Sequence, residues 1–166
     1  LRELIGDDLN HARTLAKLLM TKPKQPLIFY HTNAEFDRIA FTLDKMGWEY
    51  KKINGHSDSN TMADIDKSDI NQAIVIQYKS GGSGIEFPQS DMTIFYGLQY
   101  SWGDTEQALG RNVRRGMSKD ITVDHVFTVA TNPHDAKVFE ALQKKKKFTE
   151  KFKEELAEDI NNDSLK

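Results

Sequence analysis

The sequence predicts an α/β fold, a parallel sheet with helices on both faces, and three observations carry that prediction. Short apolar runs rich in β-branched and aromatic residues recur along the chain, they alternate with stretches of helical spacing, and a glycine cluster follows one run directly. Short, continuously apolar runs are the pattern of strands buried on both faces. Strand-helix-strand order supplies the crossovers that parallel pairing requires.

Taken in order, Leu9 to Met20 reads as a helix and Leu27–His31 (LIFYH) as a buried strand. Phe36, Ile39, Ala40, Leu43 and Met46 then recur at helical spacing, with Asn33 as the expected N-cap and Gly47 as the expected stop. Tyr50–Ile53 is a weaker strand ending at the turn signal Asn54-Gly55, and Ile74–Gln77 and Thr93–Tyr96 are further buried strands. Thr105 to Arg115 reads as a helix and His125–Val129 as the last strand. From Asp135 the spacing of Val138, Phe139, Leu142, Phe148, Phe152, Leu156 and Ile160 predicts one long amphipathic helix or two. There is no repeat and no linker, so residues 1–166 are expected to form one domain, with 135–160 a helical extension and 161–166 a frayed tail.

Composition narrows the function. A chain of 166 residues with 38% hydrophobic and 29% charged side chains can build a core and is not of the disordered class. No apolar run approaches the ~18 residues of a membrane span, and no signal segment opens the chain. The absence of cysteine excludes disulfides, thiolate zinc sites and cysteine nucleophiles, and fits a reducing, cytoplasmic setting. The five histidines show no i, i+4 metal pair, so no metal site is expected. A net charge of −2 gives no overall basic field. Arg111, Arg114, Arg115 and Lys119 cluster nonetheless, as do Lys144 to Lys147, so contact with a polyanion would be local. The lysine run reads more simply as a solvated helix face.

Two segments carry chemistry. Lys79-Ser-Gly-Gly-Ser-Gly-Ile-Glu-Phe87 follows the strand Ile74–Gln77, where glycines let the backbone turn tightly and offer N–H groups to an anion. It is not a phosphate-binding loop of the Gly-x-x-x-x-Gly-Lys-Ser/Thr type, because Tyr78 stands where the last glycine must be. A dinucleotide fingerprint fails at Phe87. A purely structural loop remains the alternative. In Gln107-Ala-Leu-Gly-Arg111-Asn-Val-Arg114-Arg115-Gly116, helical spacing brings Gln107, Arg111 and Arg114 or Arg115 near one face. Two guanidiniums suit a phosphate chain, since each presents a planar fork of donors and stays charged. A solvated basic helix end is the plainer reading. Trp102 suits either stacking on a base or a place in the core.

From Pro26 to Gly116 the chain resembles the C-terminal, RecA-like lobe of superfamily 2 helicases and ATPases, with the Swi/Snf-type DNA-dependent ATPases the nearest. Pro26-Leu-Ile-Phe-Tyr-His-Thr32 resembles motif IV, and Tyr50-Lys-Lys-Ile-Asn-Gly-His-Ser57 the strand and Gly-Ser segment after it. Lys79–Phe87 resembles motif V, and Ser101-Trp102 through Gly116 the Trp-containing loop and motif VI.

The resemblance implies a catalytic role for Arg111 and Arg114 at the ATP γ-phosphate, nucleotide contacts from Gly84, Glu86 and Gln107, and nucleic-acid backbone contacts from His31, Thr32, Tyr78, Lys79 and Ser80. It implies a P-loop NTPase helicase C-terminal lobe whose partners are DNA, more than RNA, and the N-terminal RecA-like lobe of the same parent chain. ATP with Mg²⁺ would be held mainly by that other lobe, since neither a Walker A loop nor an Asp-Glu-Ala-Asp type box occurs here. Leu1 is therefore expected to be a cut point, and the lobe is expected to be inactive alone. The chain departs from the remodeller pattern at Arg115-Gly116-Met117, where Ile-Gly-Gln is usual, and in having no arginine between Gly55 and Ile74. These departures point to a phage or bacterial relative. The alternative from another class is a binding module for nucleic acid or protein that keeps the fold and hydrolyses nothing.

Overall fold

The computed structural model describes residues 2–55, 65, 69–83, 86–98, 101–111, 122–128, 136–147 and 150, with the backbone alone at 2–9 and 81–83. The elements are α1 (Arg2–Met20), β1 (Leu27–Tyr30), α2 (Asn33–Met46), β2 (Glu49–Ile53), β3 (Gln72–Gln77), a 3₁₀ turn (Tyr78–Ser83), β4 (Met92–Phe95), α3 (Trp102–Leu109) and β5 (Asp124–Phe127). Residues 136–147 are also helical. The expected extension to 160 and the tail at 161–166 lie outside the described residues.

The strands form one parallel sheet in the order β2-β3-β1-β4-β5. β1 is central, pairing Leu27 with Ile74 and Thr93, and Phe29 with Ile76 and Phe95. Side chains alternate across a strand, so its four apolar residues feed two cores. Ile28 and Tyr30 join Val75, Ile94 and Tyr96 under Leu15 and Leu19 of α1 and Ile39 and Leu43 of α2. Leu27 and Phe29 join Ile74, Ile76, Phe95, Tyr78 and Phe87, with Ala108 of α3 on the same side. Burial on both faces explains why the run has no polar alternation.

Local chemistry sets the ends of α2. Thr32, one residue before the expected cap, accepts from Glu35 N at 3.2 Å, and Glu35 Oε2 accepts from Thr32 N at 3.1 Å, a reciprocal capping box. At the other end Gly47 adopts φ 72°, and Trp48 N donates to Leu43 O at 3.0 Å, so the helix closes in a Schellman turn. The amino-terminal edge of the sheet is pinned by buried Gln25. Its backbone N donates to Ile70 O at 2.6 Å, its amide donates to Asp69 O at 3.0 Å, and its carbonyl accepts from Gln89. These bonds hold Gln25 at φ 41°, a conformation that L residues seldom adopt.

Two predictions follow from this packing. Gly47→Ala keeps the open space at that position but forces a Cβ into the left-handed region, so it should lower stability by about 1 kcal/mol in denaturant unfolding. Burial raises the Tyr30 phenol from 10.0 to about 12 and raises Tyr78 further, with Glu35 and Asp104 adding to the Tyr78 shift. A folded pKa above the unfolded one favours the fold fully below about pH 10 and loses that contribution as the pH rises through the folded value. Phenolate absorbance should therefore show Tyr30 and Tyr78 staying protonated until the chain unfolds. Tyr30→Phe should flatten the alkaline loss of stability.

Candidate functional site

In a parallel sheet every strand ends at the same edge, and here the chain runs outward from the centre in both directions. The connection after β1 leads toward β2, whereas the chain after β4 moves on to β5. The crevice beyond the carboxyl ends of β1 and β4 is thus a topological switch point, where open α/β sheets bind ligands. Of the expected site residues, His31 and Thr32 follow β1 and Tyr78, Lys79 and Ser80 follow β3 at this edge.

His31 and Thr32 leave β1 directly and are exposed. His31 N donates to Glu35 Oε2 at 2.6 Å and His31 O accepts from Gln77 Nε2 at 3.4 Å, so the backbone of this loop is tied to α2 and to the end of β3. Beside it, since Tyr30 pairs with Gln77, the 3₁₀ turn begins. Lys79 projects to solvent. Ser80 does not: its Oγ is buried without a hydrogen-bond partner among the described residues, 3.8 Å from where a Cβ on Gly55 would stand.

Tyr78 corrects an expectation outright. Its side chain is only 5% exposed, its ring packs against Phe29 and Phe95, and its hydroxyl donates to Gly97 O at 2.9 Å. A ring committed to the core and a hydroxyl committed to a carbonyl leave nothing to meet a nucleic-acid backbone. Tyr78 instead fixes the start of the 3₁₀ turn to the end of β4.

On the expected nucleotide side, the segment that resembles motif V meets the turn after α3. Phe87 is buried, and Phe87 N donates to Arg111 O at 2.8 Å, which brings Glu86 and Arg111 to one place. Partial burial lowers the Arg111 pKa, and the charge of Glu86 acts against that shift. A guanidinium so placed stays protonated, and its incomplete hydration favours an anion beside it.

Gln107 is exposed on α3, which packs against the 3₁₀ turn. The helix is shorter than expected. It ends at Leu109, Gly110 N donates to Glu106 O at 3.1 Å, and Arg111 N donates to Ala108 O at 3.2 Å in a closing turn. Gln107 and Arg111 therefore sit on a helix and on the turn after it, not on one continuous helical face. Gly84 and Arg114 lie outside the described residues.

Two residues here escaped the sequence reading, Glu35 and Gly97. The spacing Thr32-Asn-Ala-Glu35 was a signal for the first, being that of a capping box. Nothing local marked the second. A separate cleft of about 260 Å³ is lined by Trp102, Leu109, Phe127, Phe139 and Leu142 with His125 and Lys146, and by none of the expected site residues. Burial, and then Lys146, lower the His125 pKa. Lys144 and Lys146 are exposed and paired with Glu140 at 2.9 Å and Glu150 at 3.8 Å, as on a solvated helix face. Among the described residues no cluster could hold a metal ion, and no helix is long and apolar enough to cross a membrane.

Residues 10–116 match the helicase conserved C-terminal domain family. The chain is 28% identical over 140 residues to Protein CHROMATIN REMODELING 19 of Arabidopsis thaliana, an alignment covering 80% of this chain and 18% of that protein. Among solved structures the C-terminal part of the Fun30 ATPase domain is similar, with a TM-score of 0.67 and 20% identity over 78% of this chain and 44% of that one. The chain thus spans less than a fifth of the curated relative's length and less than half of the solved one's. At that identity the structural likeness speaks for the fold.

Tyr78 and Lys79 are adjacent yet should behave oppositely. Tyr78→Ala removes a buried aromatic and should cost about 3–5 kcal/mol in denaturant unfolding. Lys79→Ala should stay within about 0.5 kcal/mol of the parent. If Lys79 meets a phosphate, its loss should also reduce the salt slope of DNA binding by about one unit.

Proposed function

The chain belongs to the helicase conserved C-terminal domain family, and from that premise we propose that it is the second RecA-like lobe of a Swi/Snf-type, DNA-dependent ATPase. The observation that carries this reading is a pair of polar groups, one following β1 and β3 and one across the Phe87–Arg111 backbone bond. His31, Thr32 and Lys79 are exposed at the ends of β1 and β3, and Glu86 and Arg111 are held together by the Phe87–Arg111 backbone bond. The first group suits a phosphate backbone, with a lysine charge, an imidazole and a hydroxyl on a surface loop. The second suits the phosphate tail of ATP, with Glu86 and Gln107 as polar contacts.

In this reading the other lobe of the parent chain holds Mg²⁺ and most of the ATP. Arg111 and Arg114 reach the γ-phosphate when the lobes close. Their fixed positive charge and planar fork of donors stabilise charge developing on the transferred group. Lobe closure and reopening then move the protein along DNA. RNA is the less favoured substrate. The missing cysteines are compatible with a reducing, cytoplasmic setting, and the departure at Arg115-Gly116-Met117 is the feature that favours a phage or bacterial source.

The decisive variant is Arg114→Ala in the full-length parent protein. It should cut turnover by roughly 10²–10⁵ while ATP affinity falls far less, because the contribution appears chiefly in the transition state. Arg115→Ala should retain activity, and the isolated 166-residue chain should show no hydrolysis. Turnover by the purified lobe, or full activity of Arg114→Ala, would overturn the reading.

A further inference from the structure

Two segments of the carboxyl edge meet at one carboxylate, and a third is tied to one of them. Glu35 Oε2 accepts from His31 N at 2.6 Å and from Thr32 N at 3.1 Å, so it holds the β1–α2 loop. The same carboxylate lies against buried Gly97, where an added Cβ would stand 2.6 Å from Oε2 and 2.7 Å from Cδ. Gly97 O in turn accepts the Tyr78 hydroxyl at 2.9 Å, which ties in the 3₁₀ turn bearing Lys79 and Ser80. Beyond Gly97 the chain enters α3, which carries Gln107 and leads to Arg111. The field of Glu35 also reaches Tyr78, where it adds to the effect of burial in raising the phenol.

The close fit is selective. No side chain larger than hydrogen fits at Gly97 while the carboxylate stays in place, since real Cβ contacts do not fall below 3.0 Å. The capping box by itself needs only Thr32 and Glu35. It gives no reason for Glu35 to press against the end of β4.

We propose that Glu35, seated against Gly97, is a positioning residue that transmits occupancy of the His31–Thr32 loop to the segment leading to Gln107 and Arg111. The inference rests on the ATPase reading above. Nucleic acid bound at His31 and Thr32 loads a loop whose two amides are fixed on this carboxylate. A shift of that carboxylate toward Gly97 would press on the chain just beyond β4, where even a methyl group finds no room. Glu35 touches neither substrate and acts through its neighbours.

The test is a mutant cycle in the full-length protein that carries this lobe, with ATP hydrolysis measured with and without mixed-sequence DNA duplex. Glu35→Gln should lower the fold-stimulation by DNA at least about five-fold, the small end of ordinary coupling between sites, while basal hydrolysis and melting temperature change little. Gly97→Ala should do the same by displacing the carboxylate. Glu35→Ala/Gly97→Ala should be no worse than Glu35→Ala alone, because the clash has been removed; such non-additivity marks direct contact.

Unchanged stimulation in Glu35→Gln overturns the proposal. So do additive losses in the cycle, and so does a fall in basal rate that matches the fall in stimulated rate, since that is the mark of a merely structural role. A parent protein that hydrolyses ATP equally with and without DNA overturns the DNA-dependent reading itself, and the proposal with it.

Discussion

The parallel pairing of β1 with both β3 and β4 is the constraint on which the rest of this molecule depends. A central strand hydrogen-bonded on both sides and buried on both faces can be served only by crossovers, because parallel neighbours cannot be joined by a tight turn. The crossover helices α2 and α3 cover opposite faces, α2 joining the preceding α1 over Ile28 and Tyr30 and α3 lying on the side of Leu27 and Phe29. Parallel pairing also obliges every strand to finish at one edge.

The two edges are built differently. At the amino-terminal edge, buried Gln25 binds the backbone near Asp69 and Ile70 and the side chain of Gln89, and Asp91 Oδ1 accepts from Lys24 N at 2.8 Å. Polar groups there are consumed in fastening loops to one another. At the carboxyl edge the exposed His31, Thr32 and Lys79 stand over an interior that fixes their backbones. Tyr78 shows the division of labour within a single turn: its side chain anchors the 3₁₀ segment in the core, and the next residue, Lys79, faces solvent. Arg111 stands between these conditions, partly desolvated beside Glu86.

Membership of the helicase C-terminal domain family gives this edge its meaning, and the sequence carried the ordered motifs that pointed there. It carried them with errors of register. The N-cap is Thr32 and not Asn33, since both residue types cap and only the point at which the chain leaves β1 decides between them. The helix before the arginines stops at Leu109, where Gly110 closes the turn, although the apolar and charged pattern continues beyond it. Helical spacing alone reports which residues could share a face, and it is silent on where the backbone bonds end.

What the sequence determined by itself is what short-range chemistry determines. Unbroken apolar runs at Leu27, Ile74 and Thr93 could only be doubly buried strands, and the order of strands and helices demanded crossovers. Gly47 stopped α2 as expected because a left-handed residue there costs glycine nothing. The tertiary structure alone decided the strand order, the removal of Tyr78 into the core, the inward turn of Ser80 and the seating of Glu35 against Gly97. Each of these is a contact between segments far apart in the chain. Its free energy depends on which surfaces the packed layers bring together, and no local spacing of residue types encodes that.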